Sequence, residues 1–202
     1  MDIVHLFKAG GLMMYPLIIC SIIVVAIFFE RFRFYRSNRS NVENLTQKIP
    51  GYLDTGNIDG LMEELKKDGG IPAGVILSAA QAYRTKANQE TLVEGAAAHA
   101  SEELKNYLNY LDVIVTLSPL MGLLGTVVGM IGSFNVLSVS EGQPFAVTGG
   151  VAEALICTAT GLFVAIIALI VYTYLSQQVA HYISAIEKLG SVYLSLAEGD
   201  KQ

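Results

Sequence analysis

Residues 113–137 read VIVTLSPLMGLLGTVVGMIGSFNVL, without a single Asp, Glu, Lys or Arg. A helix needs about 20 mostly apolar residues to cross the hydrocarbon of a bilayer, and this run exceeds that. Its glycines, Gly122, Gly125, Gly129 and Gly132, fall at i, i+3, i+7 and i+10, along one helix face. Small residues on one face let two helix backbones approach closely, so these four predict helix packing in lipid. A phosphate-binding loop is excluded, because no GK[ST] follows the glycines and the run is apolar throughout.

Two more runs of the same kind flank it. Residues 12–29 are LMMYPLIICSIIVVAIFF, and residues 149–175 are GGVAEALICTATGLFVAIIALIVYTYL. Only helices and closed barrels satisfy every backbone polar group in lipid. The alternating pattern of barrel strands is missing here. The chain is therefore expected to be all-α: an integral membrane protein with three transmembrane helices and a cytosolic helical domain between spans one and two. The third run also carries small residues near one face, Gly150, Ala154, Thr158, Gly161, Ala165 and Ala168, which predicts close packing of spans two and three, within or between subunits.

Composition agrees. Of 202 residues, 52% are hydrophobic and 15% charged, against about 25% charged in an ordinary soluble chain. The mean hydropathy is +0.48. A net charge of −5 excludes a nucleic-acid partner, which would need a basic surface. Cys20 and Cys157 lie far apart inside apolar runs and read as small hydrophobes. His5, His99 and His181 are scattered, so neither a metal site nor any other cofactor is expected. With no nucleophile–base pair in view, there are no catalytic residues to assign and an enzyme is not expected.

The basic residues orient the chain. Arg31, Arg33, Arg36 and Arg39 follow the first run, Lys8 alone precedes it, and the linker SVSEGQPFAV carries none. Cytosolic loops collect Lys and Arg. The expected order is an external N-terminus (1–11), span one (12–30), a cytosolic helical domain (31–111), span two (112–137), an external loop (138–147), span three (148–175) and a cytosolic C-terminal helix or tail (176–202). A cleaved signal peptide is not expected, since ERFRFYR follows the first run in place of a small-x-small site. Within the cytosolic domain, Pro50-Gly51 and Asp68-Gly69-Gly70-Ile71-Pro72 predict breaks, with a short amphipathic helix over 61–67 between them. Leu92, Ala96, Ala100, Leu104, Tyr107 and Leu111 recur at helical spacing and predict one long helix continuing into span two.

Glu153 is the only acidic residue inside the three runs. A charge at a helix centre costs at least about 2.5–3.5 kcal/mol on insertion scales, so such a residue is a functional candidate by default. It lies about one turn from the outer end of span three, which leaves two readings: a group facing a pore or a neighbouring helix, or an interfacial carboxylate reaching outward. Thr126, Thr158 and Thr160 are the hydroxyls considered with it. On an ideal helix Thr160 stands about 20° from Glu153, and Thr158 about 140° away.

Ser118-Pro119-Leu120-Met121-Gly122-Leu123-Leu124-Gly125-Thr126-Val127-Val128-Gly129-Met130 resembles the second-span signature of the MotA/TolQ/ExbB proton-channel family. Gly150-Val151-Ala152-Glu153-Ala154-Leu155-Ile156-Cys157-Thr158-Ala159-Thr160-Gly161-Leu162 resembles its third-span signature. The resemblance covers nearly the whole chain and is greatest to the ExbB branch. It implies a proton-channel or stator subunit in the bacterial cytoplasmic membrane that uses the proton motive force to energise TonB-dependent transport across the outer membrane. It also implies a homo-oligomer, by resemblance a pentamer, around a single-span ExbD-like partner, with a TonB-like protein passing on the work. The family's polar pore positions fall on Thr126, Glu153 and Thr158, with Thr160 a competing candidate. The alternatives are a TolQ-like subunit of the Tol-Pal envelope system and a non-conducting membrane scaffold. Three spans without an internal repeat make a stand-alone transporter a poor fit.

Overall fold

The computed structural model describes residues 11–83, 88–139 and 144–197, with backbone alone at 135–139 and 144–148. Every element among them is a helix: α1 (Met14–Ser37), α2 (Val42–Asp54), α3 (Ile58–Asp68), α4 (Ile71–Gln81), α5 (Gln89–Lys105), α6 (Leu108–Val139) and α7 (Pro144–Ala197). They group into two compact units. One takes in the chain as far as Phe29 together with Tyr107–Tyr174; the other is Glu30–Asn106 and the chain from Leu175.

In the first unit, residue pairs fix the directions of three helices. Gly11, just before α1, meets Glu153 near the start of α7, and the ring of Phe28 lies 6.3 Å from that of Tyr174. α1 and α7 therefore run the same way. Gly122 meets Thr158, and Gly129 meets Gly150 and Ala154, so α6 runs opposite to α7. Met14, Leu17, Val24, Leu111, Ile114, Ala154, Val164 and Ala168 are buried, while Ile22, Phe29, Leu123, Ile131, Phe163 and Ile170 are exposed. By length and composition, two stretches suit a membrane crossing, Gln89–Phe134 and Gly149–Ala197. An exterior of large apolar side chains over a packed interior is the arrangement that lipid, and not water, tolerates.

The second unit has the opposite sense. α2 packs on α3, α3 on α4 and α4 on α5. Its core holds Leu45, Ile49, Leu61, Leu65, Ile76, Leu104, Leu189 and Tyr193. Asparagine side chains start three of its helices: Asn41 Oδ1 accepts from Asn44 N, Asn57 Oδ1 from Gly60 N, and Asn88 Oδ1 from Glu90 N. Each satisfies one amide that the first turn leaves without a partner. Gly69 closes α3 at φ +69°, where its N–H donates to Leu65 O. Pro72 then begins α4 in the first turn, where a missing N–H costs nothing.

Two expectations need correction. Pro50-Gly51 does not break the chain: Pro50 sits inside α2. Leu45, Ile49 and Leu53 are buried on one face across it, and that burial offsets the roughly 3 kcal/mol a mid-helix proline costs. The long helix predicted from Leu92 into residues 113–137 is instead two helices, parted at Asn106–Tyr107. Asn106 is extended (φ −50°, ψ 139°) and Tyr107 is the one non-glycine residue with positive φ (65°) among those described. The physical reason is that α5's last carbonyls are claimed from outside the helix. Arg31 Nη1 donates to Glu103 O at 3.0 Å, and Tyr35 OH donates to Leu104 O at 2.8 Å. The same Arg31 is 4% exposed, stacks over Phe34 at 4.6 Å and pairs with Glu30 at 2.5 Å. Tyr182 OH donates in turn to Tyr35 O, adding α7 to the cluster.

The stretch 138–147 read as a loop is partly helical, since α6 reaches Val139 and α7 starts at Pro144; residues 140–143 lie outside the described ones. The same holds of residues 1–10, read as external, and of the last five residues of the expected tail.

Candidate functional site

The seam between α6 and α7 is built from residues with little or no side chain. A Cβ on Gly122 would stand 3.1 Å from Thr158 Cα and 3.2 Å from Cys157 O. One on Gly129 would stand 3.2 Å from both Ala154 Cβ and Gly150 O. One on Gly161 would come to 2.6 Å from Ser118 O, which forbids any larger residue without movement. Side chains fill the remaining gaps. Cys157 Sγ occupies the space a Cβ on Gly125 would need, with Met13 Cβ beside it at 3.5 Å. Ser133 Oγ does the same for Gly150 while donating to Gly129 O at 2.9 Å. Gly132 has nothing within 4 Å of its missing Cβ and takes no part in this seam.

The four polar residues singled out from sequence stand at different places in the first unit. Thr158 is half-buried in the seam, and its hydroxyl crosses to α6, donating to Gly122 O at 2.9 Å. Such interhelical bonds contribute about 0.6 kcal/mol on average in a membrane protein. Thr126 donates to Leu123 O at 2.6 Å and Thr160 to Ile156 O at 2.8 Å, each within its own helix. Glu153, half-buried, points to neither helix's threonines: its carboxylate lies against Gly11. All three hydroxyl protons are thus given to backbone carbonyls and none to Glu153.

Other features of this unit lie beyond those four residues. Ser118 is fully buried and its Oγ has no hydrogen-bond partner among the described residues. Gly11 escaped the sequence reading; its only signal was a glycine directly ahead of an apolar helix. Cys157 is buried and Cys20 half-buried, both as free thiols. Among the described residues no cluster of His, Cys, Asp or Glu could hold a metal ion.

Residues 70–188 of the chain, more than half of it, match the profile of the MotA/TolQ/ExbB proton channel family. The chain belongs to that family. Within the MotA/TolQ/ExbB family its likeness is to ExbB-like proteins. It is 32% identical over 167 residues to biopolymer transport protein ExbB-like 3 of Synechocystis sp., covering 80% of this chain and 79% of that one. It is 31% identical over 205 residues to ExbB-like 1 of the same organism, covering 93% and 77%. A biopolymer transport protein ExbB homolog of Methanothermobacter thermautotrophicus is 27% identical over 190 residues, covering 92% of this chain and 67% of the relative. With the exposed apolar helices, MotA/TolQ/ExbB membership makes this a membrane protein of the ExbB-like proton-channel type. The matched segment contains both the glycine seam and Glu153.

Proposed function

We propose that the chain is the proton-channel or stator subunit of an ExbB–ExbD type motor in a bacterial inner membrane, coupling the proton motive force to TonB-dependent transport across the outer membrane. The observation that carries this reading is Glu153: a carboxylate in a long apolar helix, inside the family's matched segment, with no basic side chain paired to it among the described residues. One charge moving through 100 mV releases about 2.3 kcal/mol, enough to make such a group useful. The work is mechanical, and the chain performs no bond chemistry. α1, α6 and α7 each span the bilayer once, with Glu30–Asn106 and the end of α7 in the cytosol. The hydroxyls of a single copy are taken up by its own backbone, so a polar path needs several copies. A homo-pentamer around a single-span partner bearing an aspartate supplies one, and a TonB-like protein receives the motion.

Proton flux tests it. The complex is purified through a tag on this chain from its own membranes, reconstituted into liposomes, and driven by an imposed potassium diffusion potential. Glu153→Gln should abolish flux with the oligomer intact, and Thr126→Val should reduce it. Thr158→Ser keeps the bond to Gly122 and should stay near native, whereas Thr158→Val should not. Native flux in the Glu153→Gln, Thr126→Val, Thr158→Val triple variant would return the chain to a scaffold. Orientation is tested by impermeant thiol labelling without the native cysteines: a probe at Gln143 should react from outside, and one at the exposed Lys67 should not.

A further inference from the structure

Gly11 is constrained twice. Its φ of +70° is a left-handed conformation that L-residues other than Asn and Asp rarely adopt. Backbone alone would therefore accept asparagine. The space where a Cβ would stand is also taken, by Glu153 Oε1, with Glu153 Cδ at 3.1 Å and Cγ at 3.6 Å. No residue with a side chain can occupy position 11 and leave Glu153 where it is.

The turn that Gly11 belongs to is itself fixed. Met14 N donates to Gly11 O at 3.2 Å and Tyr15 N to Leu12 O at 3.4 Å, which opens α1. Met13 Cβ packs at the Gly125–Cys157 contact, and Met14 and Leu17 are buried immediately after it. Gly11 is thus held at the place where α1 meets both other helices of its unit. Glu153 has three rotatable bonds and could otherwise reach in several directions.

We propose that Gly11 is a positioning residue for Glu153: the absent Cβ seats the carboxylate against the first turn of α1 and so sets where the membrane-embedded acid stands for proton transfer. The proposal rests on the reading of Glu153 as part of the proton path. Gly11→Ala should cut the flux of the reconstituted complex at least tenfold. Gly11→Asn should do the same, although asparagine tolerates the left-handed backbone. Glu153→Asp is one methylene shorter and vacates the space, so Gly11→Ala should change flux less than twofold in that background.

A second readout is independent of flux. Dicyclohexylcarbodiimide modifies carboxyls in apolar surroundings, and its rate at Glu153, read by peptide mass spectrometry, should rise several-fold in Gly11→Ala and Gly11→Asn as the side chain is turned away. Unchanged labelling in both variants overturns the proposal. So does an equal loss of flux from Gly11→Ala with Glu153 and with Asp at 153, which would be backbone strain alone. Native flux in Gly11→Ala beside a dead Glu153→Gln overturns the proposal and leaves the proton path standing. Native flux in Glu153→Gln overturns the proton path itself.

Discussion

Leu61 and Leu123 are both leucines on helices, yet one is fully buried and the other 58% exposed. The contrast extends to whole units. Every large apolar side chain exposed among the described residues belongs to the first unit, except Phe32. In the second unit the leucines and isoleucines turn inward, and Asn caps, an exposed Lys48–Glu64 pair and Gly69 punctuate short helices. In the first, helices are long, and where α6 meets α7 the close contacts are made by glycine, alanine, cysteine, serine and threonine. The difference teaches which force assembles each. Water drives the second unit together by burying hydrocarbon. Lipid is as apolar as leucine and offers no such drive, so the first unit is held by close backbone approach and by the bond from Thr158 to Gly122 O across the seam.

The same truncation in the two units is the sharpest test. Leu61→Ala should cost about 2–5 kcal/mol and melt the second unit. Leu123→Ala in lipid should cost less than about 0.5 kcal/mol. Circular-dichroism melts in nanodiscs would show this, and equal losses would mean that Leu123 is packed against protein. Next in size is Gly125→Leu, whose side chain must displace Cys157 and Met13. Overpacking of this kind costs about 1–3 kcal/mol. The α1–α6–α7 group should then loosen, seen as faster reaction of Cys157 with maleimide.

Much of this was readable in the sequence, for a physical reason. The glycine period at 122, 125 and 129 and the small residues at 150, 154, 158 and 161 record a backbone approach that no larger side chain allows, so the contact leaves a direct trace in composition. Pro50 misled because its local penalty is smaller than the burial of the face it interrupts. The α5–α6 break was invisible because its cause is distant. Arg31 reads as one of four arginines beside a membrane, and nothing local says that its guanidinium closes a helix some seventy residues later. Gly11 escaped for the same reason, since its partner is Glu153.

Alkaline pH should also separate the units. Burial pushes the hydroxyls of Tyr35 and Tyr193 up to about 12 in the second unit, against an ordinary value of 10.0. The unfolded chain ionises first, so the stability these groups lend is complete below pH 10 and is lost as pH rises through about 12. Tyr193→Phe, which gives up the 2.9 Å bond to Gln89 Oε1, should flatten that fall in an alkaline melt of the second unit. The smallest effect should come from Lys48→Ala. The hydrogen bond between them lowers the proton affinity of Glu64 and raises that of Lys48, but both are surface groups, and the melting temperature should barely move.

α7 runs for 54 residues without an internal proline, about 81 Å at the α-helical rise. The hydrocarbon of a bilayer is roughly 30 Å thick, well short of that length. Helices bend gently but seldom kink without proline, a bulge or an inserted side chain. Torsion applied to one end of α7 therefore has no swivel in which to dissipate. It is carried along an unbroken ladder of hydrogen bonds, as a drive shaft carries it, past Gly161 where that residue stands beside Ser118 and Gly122.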